Sequence, residues 1–320
     1  MSQPQPTPTD SMNVATRNAY GQRLAQLGET HPEIVVLDAD LSGSTMTKDF
    51  AKKFPNRFFN CGVAEQDLMG TAAGFAHSGL TVFASTFAMF AAGRAWEIVR
   101  QSICYPHLNV KVCASHAGIT VGEDGASHQI IEDIALMRVI PGMQVLVPAD
   151  AYQAASMVDH LVATKGPAYM RLGRANAGIV FDAAYRFELG KGTVLREGSD
   201  ICFFVAGYPT RATLDAASQL AGQGIQASVV NLPSVKPIDK DLIVAMAAKH
   251  KCLFSVEEHN VVGGLGSAVA EVLCEKYPAR LVRLGMQDEF GQSAPAGELL
   301  KFYKLDANGI AGSVKAALEA

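Results

Sequence analysis

The 320-residue chain has no excess of positive charge: Lys plus Arg is 27 against 31 for Asp plus Glu, a formal net charge of -4. Neither nucleic acid nor a membrane surface is therefore expected as a partner. No apolar run reaches the roughly 18 residues a transmembrane helix needs. The opening MSQPQPTPTD lacks the basic start and apolar middle of a secretory signal, and residues 1–11 read as a disordered tail. The six cysteines (Cys61, Cys104, Cys113, Cys202, Cys252 and Cys274) form no C-x-x-C, and most lie in apolar stretches. Reduced core thiols in a cytoplasmic protein are expected, rather than a disulfide framework. There is no H-E-x-x-H and no G-D-G.

What is present is core material. Hydrophobic residues make up 49% of the chain, and at roughly 150 residues per domain the length fits about two domains. Strand-length apolar runs alternate with helical patterns. Strands are predicted at Ile34–Leu37, Arg57–Cys61, Leu80–Ala84, Val110–Ala114, Gln144–Val147 and Ala168–Arg171, with helices at Ala64–Ser78, Phe87–Ile103, Gln129–Val139 and Ala151–Thr164. The rhythm breaks over Ala175–Ser199. It resumes with strands at Ile201–Ala206, Ala227–Asn231, Cys252–Val256 and Leu281–Leu284. Helices accompany these at Pro209–Gln223, Asp239–Lys249, Gly266–Glu275 and Ala307–Leu318. The pattern predicts two consecutive α/β domains, 12–180 and 190–320, each a mainly parallel sheet with helices on both faces.

Three polar stretches could carry chemistry. His116 to His128 (HAGITVGEDGASH) follows a strand, so it lies at a carboxyl end of the sheet, where α/β proteins bind ligands. Ser127 could cap a helix beginning at His128. The bland alternative is a solvated loop; a metal site built from His116, Asp124, His128 and Glu132 or Asp133 is a third reading. In Asn60-Cys-Gly-Val-Ala-Glu65-Gln66, a strand ends, a glycine turns the chain and Glu65 opens a helix whose continuation is largely apolar. Partial desolvation there raises a carboxyl pKa and favours holding a proton, although an acid also suits any first helical turn. In Ser85-Thr-Phe87-Ala-Met-Phe90, the two rings share one helical face and could wall a flat heterocycle or simply fill core. Gly263-Gly264-Leu-Gly266 half resembles a dinucleotide fingerprint but reads better as a tight turn.

Taken together and in order, these stretches resemble the pyrimidine-binding and C-terminal domains of transketolase, over almost the whole chain after residue 12. The resemblance implies a thiamine diphosphate enzyme. Glu65 would contact N1′ of the aminopyrimidine and favour its imino tautomer. Phe87 and Phe90 would pack against that ring, and Asp40 would join the cofactor set. Arg17, Ser44, His116 and Arg174 would hold a sugar phosphate, two guanidinium groups chelating the dianion. Asp124 and His128 would hold the donor's hydroxyl and carbonyl oxygens while a two-carbon ketol unit passes to an aldose.

The missing G-D-G then acquires meaning. In the family that motif holds Mg²⁺ and the diphosphate, so an N-terminal-half subunit carrying it is the implied partner, in an α2β2 assembly with the metal bound mainly by the other chain. Departures bear on the substrate: Gly93 stands where long transketolases have a tyrosine, and Ala64-Glu65-Gln66 reads as in 1-deoxyxylulose 5-phosphate synthase. That synthase, a 2-oxoacid dehydrogenase β subunit and a non-catalytic docking homologue are the alternatives.

Overall fold

The computed structural model describes residues 13–319; the expected N-terminal tail lies outside them. The strands are β1 (Ile34–Asp38), β2 (Phe58–Asn60), β3 (Thr81–Ser85), β4 (Val110–Ala114), β5 (Gln144–Leu146), β6 (Ala168–Arg171), β7 (Thr193–Arg196), β8 (Ile201–Val205), β9 (Ala227–Asn231), β10 (Ser234–Lys236), β11 (Cys252–Asn260) and β12 (Leu281–Met286). One sheet runs β10-β5-β6-β4-β3-β1-β2 and the other β12-β11-β8-β9-β7. Both are mainly parallel, with antiparallel edges where β10 meets β5 and β7 meets β9.

The apolar runs become strands because each is covered on both faces. In β1, Ile34 and Val36 pack with Tyr20, Leu24 and Met157 on one side, from the helices Thr16–Leu27 and Ala151–Ala163. Val35 and Leu37 face Leu68 and Ala72 of the helix Glu65–His77 on the other. The same alternation splits β8, with Phe203 in the core of the second unit and Phe204 in the core it shares with the first.

Two features tie the halves together. β10 belongs by sequence to the second unit but adds the edge strand to the first sheet, its backbone paired with β5. Conversely, Ile119 and Ile131 from the first unit are buried in the second unit's core, beside Leu299 and Tyr303. No helix among the described residues is long and apolar enough to cross a membrane.

Two helix assignments need correction. The helix expected over Gln129–Val139 occupies only Asp133–Arg138, and Ser127 caps nothing. Residues 128–131 spend their backbone groups elsewhere: Ile130 bridges Ala117, and the Ile131 carbonyl accepts from Asn260 N. Phe87–Ile103 is not one regular helix either. Phe87 pairs with Ser115 as an extended residue, and two π-helical stretches, Met89–Arg94 and Val99–Cys104, flank Trp96–Ile98. Such widened turns are often found at functional sites.

Candidate active site

The parallel strands deliver the candidate residues to one edge. At the end of β1, Asp38 is fully buried and organises the following loop: its carboxylate accepts from Leu41 N and from the Thr45 and Thr47 hydroxyls at 2.6, 2.6 and 2.9 Å. Burial pushes its pKa up and those hydrogen bonds hold it back. The loop carries Ser44, whose carbonyl, 2.7 Å away, accepts from Arg17 Nη1. The Ser44 side chain is half-buried. Asp40, exposed and at φ 64°, accepts from Asn60 Nδ2 at 2.7 Å, so the ends of β1 and β2 are stitched together beside the next turn.

That turn leads to Glu65. Asn60 Oδ1 accepts from Gly62 N, and Gly62, at φ 72°, reverses the chain into the helix Glu65–His77. Leu68, Met69 and Ala72 bury the helix and fix its start. Glu65, 4% exposed, takes the favourable position for an acid at a helix N-terminus. Its carboxylate accepts no hydrogen bond among the described residues; Arg94 Nε, on a mostly exposed side chain, lies 3.8 Å away.

After β3, Phe87 and Phe90 lie nearly parallel (15°), their centroids 6.3 Å apart. Phe87 also stacks on His116, at 3.8 Å and 25°, and Phe90 meets His128 edge-on at 5.5 Å. His116 sits just past β4 at φ 60°, 3% exposed, with Ser115 Oγ 2.9 Å from Nδ1 and Arg17 Nη1 3.5 Å from Nε2. Burial, then Arg17, Arg174 and His128, push its pKa down to about 3, so the imidazole is neutral at neutral pH. The Arg17 pKa is lowered too, by burial and by Arg174, and its Nε is buried with no hydrogen-bond partner. Arg174 Nη1 donates to the Val121 carbonyl and lies 3.4 Å from Glu123 and 3.9 Å from Asp124. The positive charges of Arg17 and Arg174 thus bear on each other and on a neutral imidazole, an arrangement that an incoming anion relieves.

Arg17, His116 and Arg174 are therefore one cluster. Phe87, Phe90 and His128 adjoin it, and Asp124, exposed, borders it through Arg174. The four-ligand metal arrangement does not form: Asp133 is fully buried against Arg171 Nε at 2.9 Å and the Tyr169 hydroxyl at 2.7 Å. Glu132 accepts from Ile131 N. Among the described residues no group of three or more His, Cys, Asp or Glu side chains could hold a metal. The six cysteines are free thiols.

Sequence reasoning did not select Asp38, Arg94 or Glu258. Asp38 was visible as an acid closing a wholly apolar strand, which demands local partners. Arg94 and Glu258 had no such signal, because their significance comes from contacts made across the fold.

Residues 12–179 match the transketolase pyrimidine-binding domain and residues 190–310 the transketolase C-terminal domain. A putative transketolase C-terminal section from Methanocaldococcus jannaschii is 48% identical over 298 residues, covering 92% of this chain and 93% of that one. The 6-deoxy-6-sulfo-D-fructose transketolase subunit SqwH of Clostridium sp. is 39% identical, over 95% and 93% of the two chains. A solved split gene transketolase, described as an inactive β4 tetramer, superposes with a TM-score of 0.87 at 54% identity, covering 96% of this chain and 98% of that one. The chain belongs to the transketolase family, whose cofactor is thiamine diphosphate.

The residues present fit the aminopyrimidine of that cofactor. Phe87 and Phe90 supply an aromatic surface, and Glu65 supplies a buried carboxylate whose acceptor capacity is unspent among the described residues.

Proposed function

We propose that the chain is the C-terminal-half subunit of a split transketolase, transferring a two-carbon ketol unit from a ketose phosphate to an aldose acceptor. The observation that carries this reading is the stacking of Phe87 on His116, which sets the aromatic pair directly beside the anion-seeking cluster. Thiamine diphosphate, when bound, supplies a nucleophilic carbon and an electron sink. Glu65 holds the aminopyrimidine N1′ and its proton, Phe87 and Phe90 pack on the ring, and Asp40 closes the adjoining turn. Arg17 and Arg174 grip the phosphate with charge-assisted hydrogen bonds while His116 and Ser44 complete its shell. Asp124 and His128 orient the donor's hydroxyl and carbonyl oxygens, His128 steadying negative charge as it develops.

An N-terminal-half subunit carrying G-D-G supplies the diphosphate and Mg²⁺ sites, in an α2β2 assembly in the cytoplasm. The inactive β4 tetramer of the solved relative supports this dependence on a second chain. The decisive experiment combines the chain with that subunit, thiamine diphosphate and Mg²⁺, and offers xylulose 5-phosphate. Glu65→Gln should keep the circular dichroism of the parent and lose deuterium exchange at the thiazolium C2; parental exchange in this variant sinks the assignment. A synthase-like reaction is the second reading, favoured by Ala64-Glu65-Gln66 and Gly93, and a 2-oxoacid offered as donor separates the two.

A further inference from the structure

The loop from His116 to His128 belongs by sequence to the first unit, yet its shape is set by the second. Glu258, on β11 and 2% exposed, accepts a hydrogen bond from Thr120 N at the middle of the loop. Arg171 Nη2 donates to the Glu258 carbonyl at 2.9 Å while its Nε pairs with Asp133, which fixes β11 against β6. Gly118, at φ 79°, lies so close to the Glu258 carboxyl group that a Cβ would clash with it. Further along the loop, the Ser293 hydroxyl donates to the Glu123 carbonyl, next to Asp124. Between these points Gln129 Nε2 spans the boundary, donating to Gly122 O and Gln292 O, each at 2.8 Å. Ile119 is anchored in the second unit's core.

We infer that the C-terminal domain acts as a clamp on the donor-holding loop, with Glu258 and Ser293 as positioning residues that set where Asp124 and His128 stand. The inference rests on the proposed function for the identity of what the loop holds, but the clamp is a property of the chain itself. A buried carboxylate on a backbone N–H is a strong, directional fastening, because either group alone would be left desolvated. Both side chains fasten backbone groups of the loop, which makes them positioning residues. Their influence should fall most heavily on the donor, since Asp124 and His128 lie on the clamped loop while Glu65, Phe87 and Phe90 belong to other elements.

The test uses the assembled enzyme with Glu258→Ala, Glu258→Gln and Ser293→Ala. Glu258→Ala should raise the donor KM about tenfold and Ser293→Ala about threefold, against little change in acceptor KM or thiamine diphosphate affinity; a tenfold change corresponds to about 1.4 kcal/mol. Glu258→Gln keeps an acceptor for Thr120 N and should restore most of the donor affinity. Hydrogen exchange by mass spectrometry should show faster exchange over residues 116–128 in Glu258→Ala and parental exchange in the helix Glu65–His77. Unchanged donor KM and unchanged exchange in the folded variants, or equal shifts in donor, acceptor and cofactor constants, overturn the clamp. Should Glu258→Ala fail to fold, Ser293→Ala decides on the same readings, since its hydroxyl is on the surface. If the parent enzyme turns over no ketose phosphate, the functional reading fails, while the exchange measurement still judges the clamp.

Discussion

At two places in this molecule a parallel strand ends, glycines turn the chain and a group of donors stands close by. In the second unit the donors are satisfied internally. The glycine run after β11 opens the helix Leu265–Lys276, whose first N–H groups at Leu265 and Gly266 donate to the buried Glu257 carboxylate at 2.6 and 2.8 Å. A Cβ on Gly264 would overlap that carboxylate, so no exogenous anion has room there. In the first unit, past β4, the corresponding place is left wanting: Arg17 Nε is buried without a partner, and the charges of Arg17 and Arg174 both hold the His116 pKa down. One site encloses its anion as architecture; at the other the nearby acids Glu123 and Asp124 are exposed and lie beside Arg174 alone. The contrast teaches that a glycine turn after a parallel strand says little about ligand binding until the nearby acids are counted.

The largest effect that could break this contrast is on the first site. Arg17→Ala combined with Arg174→Ala should raise KM for phosphorylated sugars by roughly a hundredfold or more, as two charge-assisted hydrogen bonds are lost. Unphosphorylated sugars should be affected far less, and stability should move by only about 1 kcal/mol, because mutual repulsion is relieved as the Ser44 contact is lost. Steady-state kinetics on matched sugar pairs, with denaturant unfolding alongside, check both halves. Equal losses on both sugars would remove the phosphate assignment.

The second site should behave in the opposite way. Glu257→Ala leaves two helix-start donors without their buried acceptor and should lower stability by about 2–4 kcal/mol. Phosphate discrimination should be unaltered in whatever enzyme folds. Urea unfolding midpoints measure the first effect, and the KM ratio for the matched sugars measures the second.

A dependence on pH also distinguishes the sites. The folded pKa of His116 is depressed from 6.5 to about 3, so between those values the unfolded chain binds the proton that the folded one refuses. Its contribution to stability is complete above pH 6.5 and is lost progressively as pH falls toward 3. The unfolding free energy of the parent should therefore fall more steeply over that window than that of His116→Gln. Parallel slopes in the two proteins would mean that the imidazole is not held neutral by its surroundings.

How far this was legible beforehand depends on whether a signal was local. The buried strands announced themselves because a strand covered on both faces is a near-continuous apolar run, as IVVL and ICFFV are. Glu65, His116 and Arg174 were reachable through motif order, which a family resemblance carries even when each motif is weak. The helix Thr16–Leu27 is not announced by periodicity, since Thr16 and Gly21 are buried with Leu24 and blur its apolar stripe. β10 has three residues and a partner in the other unit's sheet, so neither its length nor its local pattern could reveal it. Glu258 and Gln129 act across the boundary between units, and such contacts exist only after both have folded.

The smallest expected effect concerns a cap that the sequence offered and the fold did not use. Ser127 sits five residues before the helix-flanking Glu132, and its hydroxyl lies 3.0 Å from His128 Nδ1. Asp239, in contrast, caps the helix Lys240–Ala247 by accepting from Leu242 N at 3.0 Å, and its second oxygen accepts from Gly192 N at 2.9 Å. Asp239→Ala should therefore cost about 1–2 kcal/mol of stability, and Ser127→Ala no more than about 0.5 kcal/mol. The serine variant should show itself in His128 instead, whose Nδ1 loses a hydrogen-bond partner. Nitrogen chemical shifts of His128 in the two proteins measure that change, and a stability loss matching that of Asp239→Ala would reinstate the cap.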